Sequence, residues 1–380
     1  MNWKEIRFGK LYAESSRNGV SKPGKIRGFG YKMINMGELF DNDRIYDIPM
    51  ERVPLTENEK INAKIEKGDL LFARQSLVWE GAGKCSIVME VSPLTVFESH
   101  LIRVRLNEKA NPLFYFYYFS SSLSPIKSIV NQCAQAGIRG SELQKLKVVF
   151  PPKNEQNKIS NILSTYDELI ETNKKRIKIL EQMAENLYKE WFVRFRFPGH
   201  ENAEFVEGVP KGWEYCKLKK LLNISYGKDH KNLEDGDIPI FGSGGIMRYG
   251  NKALYDGEVV LIPRKGTLNN IMYYSGKLWT VDTMFYAVPQ VSKSAKYIYY
   301  TLNKFDMESY NSGAALPSMT TAILYNLKIL LPDGETLARF DEIIDTMFDE
   351  KKILENQNQN LIKQRDYLLP RLMSGKLQVK

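Results

Sequence analysis

Apolar residues alternate at spacings of three and four between Leu163 and Trp191, inside a stretch from 153 to 197 that contains neither proline nor glycine. This spacing is the a/d seam of a coiled coil, and it predicts one long helix. A helix of roughly 40 residues is about 60 Å long at 1.5 Å per residue. We assign the segment 154–200 to this helix. Its predicted helix-pairing positions are Tyr166, Ile170, Asn173, Ile177, Leu180 and Leu187.

The same spacing returns 181 positions later, in the segment 334–380. The apolar positions predicted to pair there are Met347, Leu354, Leu361 and Leu368. They alternate with polar residues such as Asn358, which make a seam weaker but more selective about register. Each helix could instead pack only on its own domain, but two equivalent helices of this length favour pairing with one another. We therefore predict two long antiparallel helices that form a coiled-coil spacer.

The segments before the two helices are also related, so the whole chain is internally duplicated. The run ELQKLKVVFP at 142–151 matches AILYNLKILLP at 322–332 with an offset of 181. Further upstream, GDLLFARQS at 68–76 resembles GEVVLIPRKG at 257–266, with a slightly larger offset. The first copy therefore contains a longer insertion than the second.

Short runs of β-branched and aromatic residues alternate with glycine-containing turns in both copies, as in α+β domains. We place one globular domain at 1–153 and the other at 201–333. The predicted fold class is α+β: two globular domains in an internal repeat, separated by two long antiparallel helices, with pseudo-twofold symmetry.

Composition narrows the class of protein. The 380 residues are 43% hydrophobic, enough for a sizeable core, and carry a formal charge of +9, which favours a polyanionic partner or an acidic protein surface. The three cysteines and three histidines form neither CxxC nor HExxH, which argues for a reducing, cytoplasmic setting and against a metal site. The aromatic run at 113–119 is far short of the roughly 20 apolar residues that span a bilayer, so we expect no membrane association.

Several runs resemble one known family, the specificity subunits of type I restriction-modification systems. GDIPIFGSGGIMRYG (236–250), GEVVLIPRKGTLNN (257–270) and LWTVDTMFYAV (278–288) are similar to its target-recognition domain. LYKEWFVRFRFPG (187–199) and YLLPRLMSGKLQV (367–379) are similar to the ends of its two spacer helices. The first domain departs more from the pattern, because it has YKMINMGELF where the second has IFGSGG.

The resemblance implies a DNA-binding subunit without catalytic activity of its own. It implies that each domain reads one part of a two-part site in double-stranded DNA and that the helices fix the distance between the parts. The implied partners are two methyltransferase subunits and the restriction subunits. S-adenosylmethionine, ATP and Mg are then expected in those partners, with no cofactor in this subunit.

Base edges are read by polar side chains on exposed loops, and basic side chains and amides hold phosphates. Two loops in each domain, at equivalent places in the repeat, fit this requirement, although each residue alone could be a solvated loop side chain. The candidates in the first domain are Arg74, Gln75, Ser76, Gln135, Arg139 and Ser141. Those in the second domain are Lys228, Arg264, Lys265, Asn269, Asn270, Ser312 and Ser318.

The end of the first helix is rich in aromatic residues. Trp191 and Phe192 are too apolar to be fully exposed, and together with Arg194 they suit either a partner interface or burial against a domain. Both interpretations remain open from the sequence.

Three alternatives compete with the DNA-reading interpretation. Asn111-Pro112-Leu113-Phe114 approaches the NPP[FY] element of methyltransferases, and Pro332-Asp333 with Glu350 and Lys352 spells a PD…ExK nuclease pattern. The third is a coiled-coil scaffold with no DNA role. We assign no catalytic residue. In the first fragment Leu113 replaces the second proline, and in the second Glu350 and Lys352 belong to the predicted spacer helix, where carboxylates are usually surface charge.

Overall fold

The computed structural model describes residues 3–132, 136–310 and 318–379. The chain is an α+β protein that divides into two compact units. The first unit is Met1–Asn173 together with Asn356–Lys380, and the second is Lys174–Glu355. The predicted α+β class, with an internal repeat and two long helices, is confirmed.

The first unit contains thirteen strands among its described residues. They are β1 Lys4–Arg7, β2 Arg17–Asn18, β3 Tyr31–Ile34, β4 Arg44–Ile45, β5 Glu51–Val53, β6 Leu70–Ala73, β7 Gln75–Ser76, β8 Cys85–Val88, β9 Thr95–Phe97, β10 Leu101–Val104, β11 Asn131–Gln132, β12 Ala136–Gly137 and β13 Lys147–Phe150. Its short helices are α1 Met36–Asp41, α2 Glu57–Asn62, α3 Pro112–Ser120 and α4 Gly140–Leu143. A five-stranded sheet has the order β2-β10-β6-β8-β4, and smaller sheets are β5-β3-β9, β11-β12-β7 and β1-β13.

The second unit is built on one larger sheet. Its strands are β14 Phe205–Val206, β15 Val209–Pro210, β16 Glu214–Lys217, β17 Leu222–Tyr226, β18 Ile238–Gly242, β19 Gly245–Gly250, β20 Tyr255–Pro263, β21 Met272–Thr280, β22 Met284–Pro289 and β23 Lys328–Leu331, and its short helices are α6 Ala295–Leu302 and α7 Thr321–Asn326. The six-stranded sheet has the order β17-β22-β20-β21-β18-β19, beside the pairs β16-β23 and β14-β15. The apolar middle of β20 is buried in the core, as expected for a central strand.

The two long helices are α5 Lys153–Tyr188 and α8 Gly334–Met373. Each contributes residues to both units. The α-helical hydrogen bonding of α5 ends earlier than the predicted segment 154–200. A π-helical turn, Lys189–Val193, follows it, and Phe195 then adopts a left-handed backbone with φ 57°. Pro198 follows this left-handed residue and has no N–H to donate, so it cannot continue the helix.

Within each unit the two long helices lie side by side and antiparallel. In the first unit Asp167 pairs with Arg365, and the Asn173 amide donates to Gln357 Oε1 at 3.4 Å. In the second unit Arg176 pairs with Glu350. All ten predicted pairing positions are shielded from solvent: three are buried (Ile170, Asn173, Leu354) and seven are half-buried (Tyr166, Ile177, Leu180, Leu187, Met347, Leu361, Leu368).

Candidate nucleic-acid interface

In the first unit, the two loops that the sequence singled out lie against one another. Strand β7 carries Gln75 and Ser76, and it pairs antiparallel with β12, so that Gln75 lies opposite Gly137. One residue further along, the Ile138 N–H donates to the Arg74 carbonyl at 2.9 Å. A pair of backbone strands therefore brings residues 74–76 next to residues 136–141.

The second unit contains the same junction. Lys265 forms an antiparallel bridge with Ser318, and the Met319 N–H donates to the Arg264 carbonyl at 2.8 Å. Met319 follows Ile138 by 181 positions, which is the offset of the sequence repeat. The equivalence of the loops, deduced from sequence, thus has a counterpart in one repeated hydrogen bond.

Three of the first-unit candidates have their surroundings defined by polar contacts. The Arg74 guanidinium donates to the Ser99 carbonyl at 3.3 Å and is half-buried. The Ser76 hydroxyl accepts the Val78 N–H at 3.2 Å, within its own turn. Arg139 is exposed directly before α4, where its carbonyl accepts the first helical N–H groups. Arg139 thus combines a fixed backbone with a solvent-facing charge, which suits contact with a phosphate or a base.

The other first-unit candidates are placed as follows. Gln75 is half-buried and Ser141 is exposed, and both lie at the same junction as Arg139. Gln135 lies outside the described residues.

In the second unit Arg264 and Lys228 carry the accessible charges. The Arg264 guanidinium donates to the Asp282 carbonyl at 3.2 Å and lies 5.3 Å from the centroid of the Tyr226 ring. Lys228 is exposed, and its carbonyl accepts the Trp279 indole N–H at 3.1 Å. Its backbone is therefore held in place while its ammonium group faces solvent.

Asn269 and Asn270 have roles inside their own domain. The Asn269 amide donates to Asp306 Oδ1 at 3.0 Å and accepts the Met307 N–H at 2.7 Å. The Asn270 amide donates to the Ser243 carbonyl at 2.8 Å. These bonds must be exchanged before either amide can reach a base edge.

The remaining second-unit candidates are Lys265 and Ser318, both half-buried in the bridge between the two loops. Ser312 lies outside the described residues.

A hairpin lies beside these candidate residues in the second unit. Strands β18 and β19 turn at Ser243, the residue whose carbonyl Asn270 binds, so the hairpin lies beside the Arg264 loop. The large apolar side chains of Ile246 and Met247 are exposed on it. The β-branched Ile246 and the aromatic Tyr249, in a short run bounded by glycines, are the signal that could have indicated a strand.

A buried ion network joins the second domain to its long helix. The Lys296 ammonium on α6 lies 2.9 Å from Glu258 Oε1, 2.9 Å from Asp341 Oδ1 and 2.7 Å from Asp345 Oδ1. Burial alone would lower the pKa of Lys296, but the three carboxylates outweigh it and raise that pKa. Since Asp341 and Asp345 belong to α8, this cluster fixes the sheet on the helix.

The first unit uses a different set of side chains for the same purpose. Asp167 on α5 accepts a hydrogen bond from the Tyr117 hydroxyl and one from Arg365 at 2.6 Å. The Arg44 guanidinium lies 3.4 Å from Glu171, one turn further along α5. Burial, reinforced by the nearby Asp167 carboxylate, raises the pKa of Tyr117.

In the fragments that resemble catalytic motifs, the polar side chains cap helices or form surface ion pairs. The Asn111 side chain accepts the Phe114 N–H at the start of α3 and donates to Asn157 at 2.8 Å. Asp333 accepts the N–H groups of Glu335 and Thr336 at the start of α8, while Glu350 pairs with Arg176. Each side chain therefore has a structural contact of its own.

Two of the three candidate partner-interface residues are buried against a domain, the other interpretation that the sequence left open. Trp191 and Phe192 are only 5% and 6% exposed, because both rings pack on Phe340 of α8 inside the core of the second unit. Arg194 is exposed and pairs with Glu190. Aromatic side chains of this size gain more from burial than a surface position would give them.

Within the described ranges, no helix is both long and apolar enough to cross a membrane.

The chain contains two α+β domains with equivalent loop junctions, and each domain is joined to a long helix. This arrangement is typical of an internally duplicated recognition protein with helical spacers. Residues 13–182 and 210–364 match the family model of the type I restriction modification DNA specificity domain. The chain therefore belongs to the family of type I restriction-modification specificity subunits.

Individual relatives agree with this assignment. The type I restriction enzyme MjaIX specificity subunit of Methanocaldococcus jannaschii is 28% identical, with 99% of this chain and 96% of that protein covered. The HindI specificity subunit of Haemophilus influenzae is 21% identical, with 99% of this chain and all of that protein covered. Among solved structures, the type I restriction-modification S subunit from M. genitalium superposes with a TM-score of 0.64 at 17% identity, covering 98% and 96% of the two chains, and this likeness shows a shared fold.

Proposed function

We propose that this chain directs a type I restriction-modification complex to a two-part site in double-stranded DNA. Each domain reads one part through the junction that joins residues 74–76 to 136–141, or 264–270 to 318. The observation that carries the proposal is the repetition of this junction, with an exposed Arg139 in one unit and the accessible charges of Arg264 and Lys228 in the other. Two equivalent reading surfaces in one chain suit a target with two parts.

The long helices set the distance between the two parts. Helix α5 has 36 residues and is about 54 Å long. Half-sites about one duplex turn apart, on the order of 34–36 Å, lie on the same face of the DNA. A helix of this length is long enough to span such a separation. The buried clusters around Lys296 and Asp167 support this role, because each fixes a domain on its helix.

The chemistry belongs to partner subunits. Two methyltransferase subunits bind S-adenosylmethionine and transfer the methyl group, and restriction subunits use ATP and Mg to cleave. This chain is non-catalytic by itself and acts in the cytoplasm. Membership of the specificity family supports this division, as do the caps and ion pairs that occupy the motif-like fragments.

Salt dependence tests whether the chain binds DNA through phosphates. The full chain, assembled with its methyltransferase subunit, should bind duplex DNA with an affinity that falls steeply as salt rises. Lys228→Gln should reduce the slope of log K against log salt by about 0.9, on specific and non-specific duplexes alike. The matched control is Lys219→Gln, which removes an exposed lysine from the turn Leu218–Lys220 beside the β16-β23 pair. Salt-independent binding, or no DNA retention by the assembled complex, contradicts the proposal and favours a scaffold.

A further inference from the structure

A turn in the first unit presents three consecutive apolar residues to solvent. Leu77 is 88% exposed and Val78 is 58% exposed, and Trp79 is partly exposed beside them. Leu77 has the largest exposed fraction of any large apolar side chain in the described part of the chain. The residues follow Gln75 and Ser76 directly, so they extend from the strand that forms the recognition junction.

The turn is held in one conformation by polar contacts. The Val78 N–H donates to the Ser76 hydroxyl, and the Gly81 N–H donates to the Val78 carbonyl at 3.2 Å. A Cβ atom at Gly81 would collide with the Ser76 hydroxyl, so a larger residue there would displace that hydroxyl from its hydrogen bond with Val78. The exposure of Leu77 and Val78 is therefore a feature of an ordered loop.

Lys127 reinforces the same turn from the other side. Its ammonium group donates to the carbonyls of Trp79, Glu80 and Ala82 at 3.1, 2.7 and 3.0 Å. It also lies 4.8 Å from the centroid of the Trp79 ring. A preorganised turn loses little conformational entropy when it contacts a partner, which favours binding.

The equivalent position in the second unit differs in its exposure to solvent. The repeated backbone hydrogen bond aligns Arg74 with Arg264, so Leu77 and Val78 correspond to Thr267 and Leu268. Leu268 is fully buried in its domain, whereas Val78 faces solvent. The two domains therefore present different chemistry at the same place: an apolar tip in the first and a polar one in the second.

We propose that Leu77 and Val78 contact the C5-methyl group of a thymine, so that the first domain requires a T·A pair in its half of the site. This rests on the proposed function. The thymine methyl is the apolar group that a base pair presents in the major groove, and apolar side chains recognise it there. The exposed Arg139 at the same junction supplies positive charge for the neighbouring phosphates or bases.

The test measures DNA binding after removal of the thymine methyl group from the DNA and after truncation of the Leu77 side chain in the protein. After the methylated motif is mapped, each thymine in the half read by the first domain is replaced in turn by deoxyuridine. One replacement should weaken binding by the intact complex about 3- to 5-fold, as expected for one buried methyl-sized group. Leu77→Ala should weaken binding to the thymine duplex at least as much and should be indifferent to that deoxyuridine.

The matched control is Ile61→Ala, which truncates another highly exposed apolar side chain of the same unit, on α2. It should leave affinity and deoxyuridine sensitivity unchanged. The inference is overturned if every deoxyuridine duplex binds as tightly as the thymine duplex, if the half-site contains no T·A pair, or if Leu77→Ala keeps the full sensitivity. Insertion of Leu77 between base pairs also overturns it, and 2-aminopurine fluorescence that rises on binding would reveal such unstacking.

Failure of the proposed function looks different. In that case no methylated motif depends on the chain, and the deoxyuridine series has no starting sequence. If a methylated motif depends on the chain but binding does not change when the thymine methyl is removed, only this inference fails.

Discussion

The Lys296 ammonium group lies 2.9 Å from Asp341 Oδ1, and both side chains are only 1% exposed. One residue belongs to the short helix α6 of the second domain and the other to the long helix α8. Their pairing therefore joins the second domain to the long helix. The same principle applies in the first unit, where Asp167 on α5 binds Tyr117 of α3.

We expect Lys296→Met to destabilise the second unit by about 3–5 kcal/mol, because it removes the buried cation that pairs with Asp341 and leaves that buried carboxylate only the half-exposed Lys293. Chemical denaturation of the assembled complex measures this loss. Lys211→Met, which breaks only an exposed pair with Glu204, should change stability by less than about 0.5 kcal/mol.

A second substitution checks the electrostatic origin of that loss. Lys296→Met combined with Asp341→Leu should recover most of the stability, because an apolar pair of similar volume replaces the buried charges. If the double variant is as unstable as Lys296→Met, the loss has a steric cause and the ion-pair account is wrong.

Trp191→Ala should cost about 3–5 kcal/mol, since the indole fills space between Phe192 and Phe340 in the core of the second unit. Val193→Ala, two residues away and exposed, is the control and should have little effect. Thermal unfolding distinguishes the two variants. A stable Trp191→Ala variant that fails only to bind its methyltransferase subunit would restore the partner-interface interpretation.

Asn358→Leu should stabilise the helix pair of the first unit by about 1 kcal/mol. The Oδ1 atom of Asn358 is buried and has no hydrogen-bond partner among the residues that the structure describes, and such an atom has lost its hydration without compensation. Asn360→Leu, at an exposed position of the same helix, should bring no comparable gain. Unfolding in urea measures both, and a loss of stability in Asn358→Leu would show that the amide is needed in the seam.

Asp333 gives the second unit a pH-dependent contribution at acidic pH. Burial would raise the pKa of Asp333, but hydrogen bonds from Thr336 and the Trp213 indole outweigh it and hold that pKa below its ordinary 3.8. A depressed folded-state pKa contributes stability that is present above the unfolded value and is lost as pH falls through the folded one.

The stability difference between the wild type and Asp333→Asn should therefore be largest above about pH 5 and should narrow as the pH falls below about 4. Urea unfolding at a series of pH values tests this, with the exposed Asp235→Asn as control. A difference that stays constant with pH would mean that the carboxylate charge does not stabilise the start of α8.

The helices and the repeat could be predicted from sequence because both depend on local spacing. The a/d seam from Leu163 to Trp191 is a periodic signal, and the offset of 181 was visible in the match of 142–151 with 322–332. The α+β class followed from runs such as that of β20, whose β-branched residues occur between turns.

Contacts between residues distant in sequence were beyond such reasoning. Nothing local in the sequence indicates that Lys296 meets Asp341, 45 positions away, or that the Asn269 amide is occupied by Asp306. The exposure of Val78 also cannot be read from sequence, because the equivalent Leu268 is buried. Periodicity ranks positions along an element, whereas burial depends on what the rest of the chain places against them.

The most direct test of the central claim is genome-wide mapping of methylated bases in cells with and without this chain. We predict a two-part methylated motif that disappears when the gene is deleted. When residues 1–153 are exchanged for those of a relative, only one half of that motif should change. An unchanged methylation pattern after deletion, or a change in both halves after the exchange, would contradict the account.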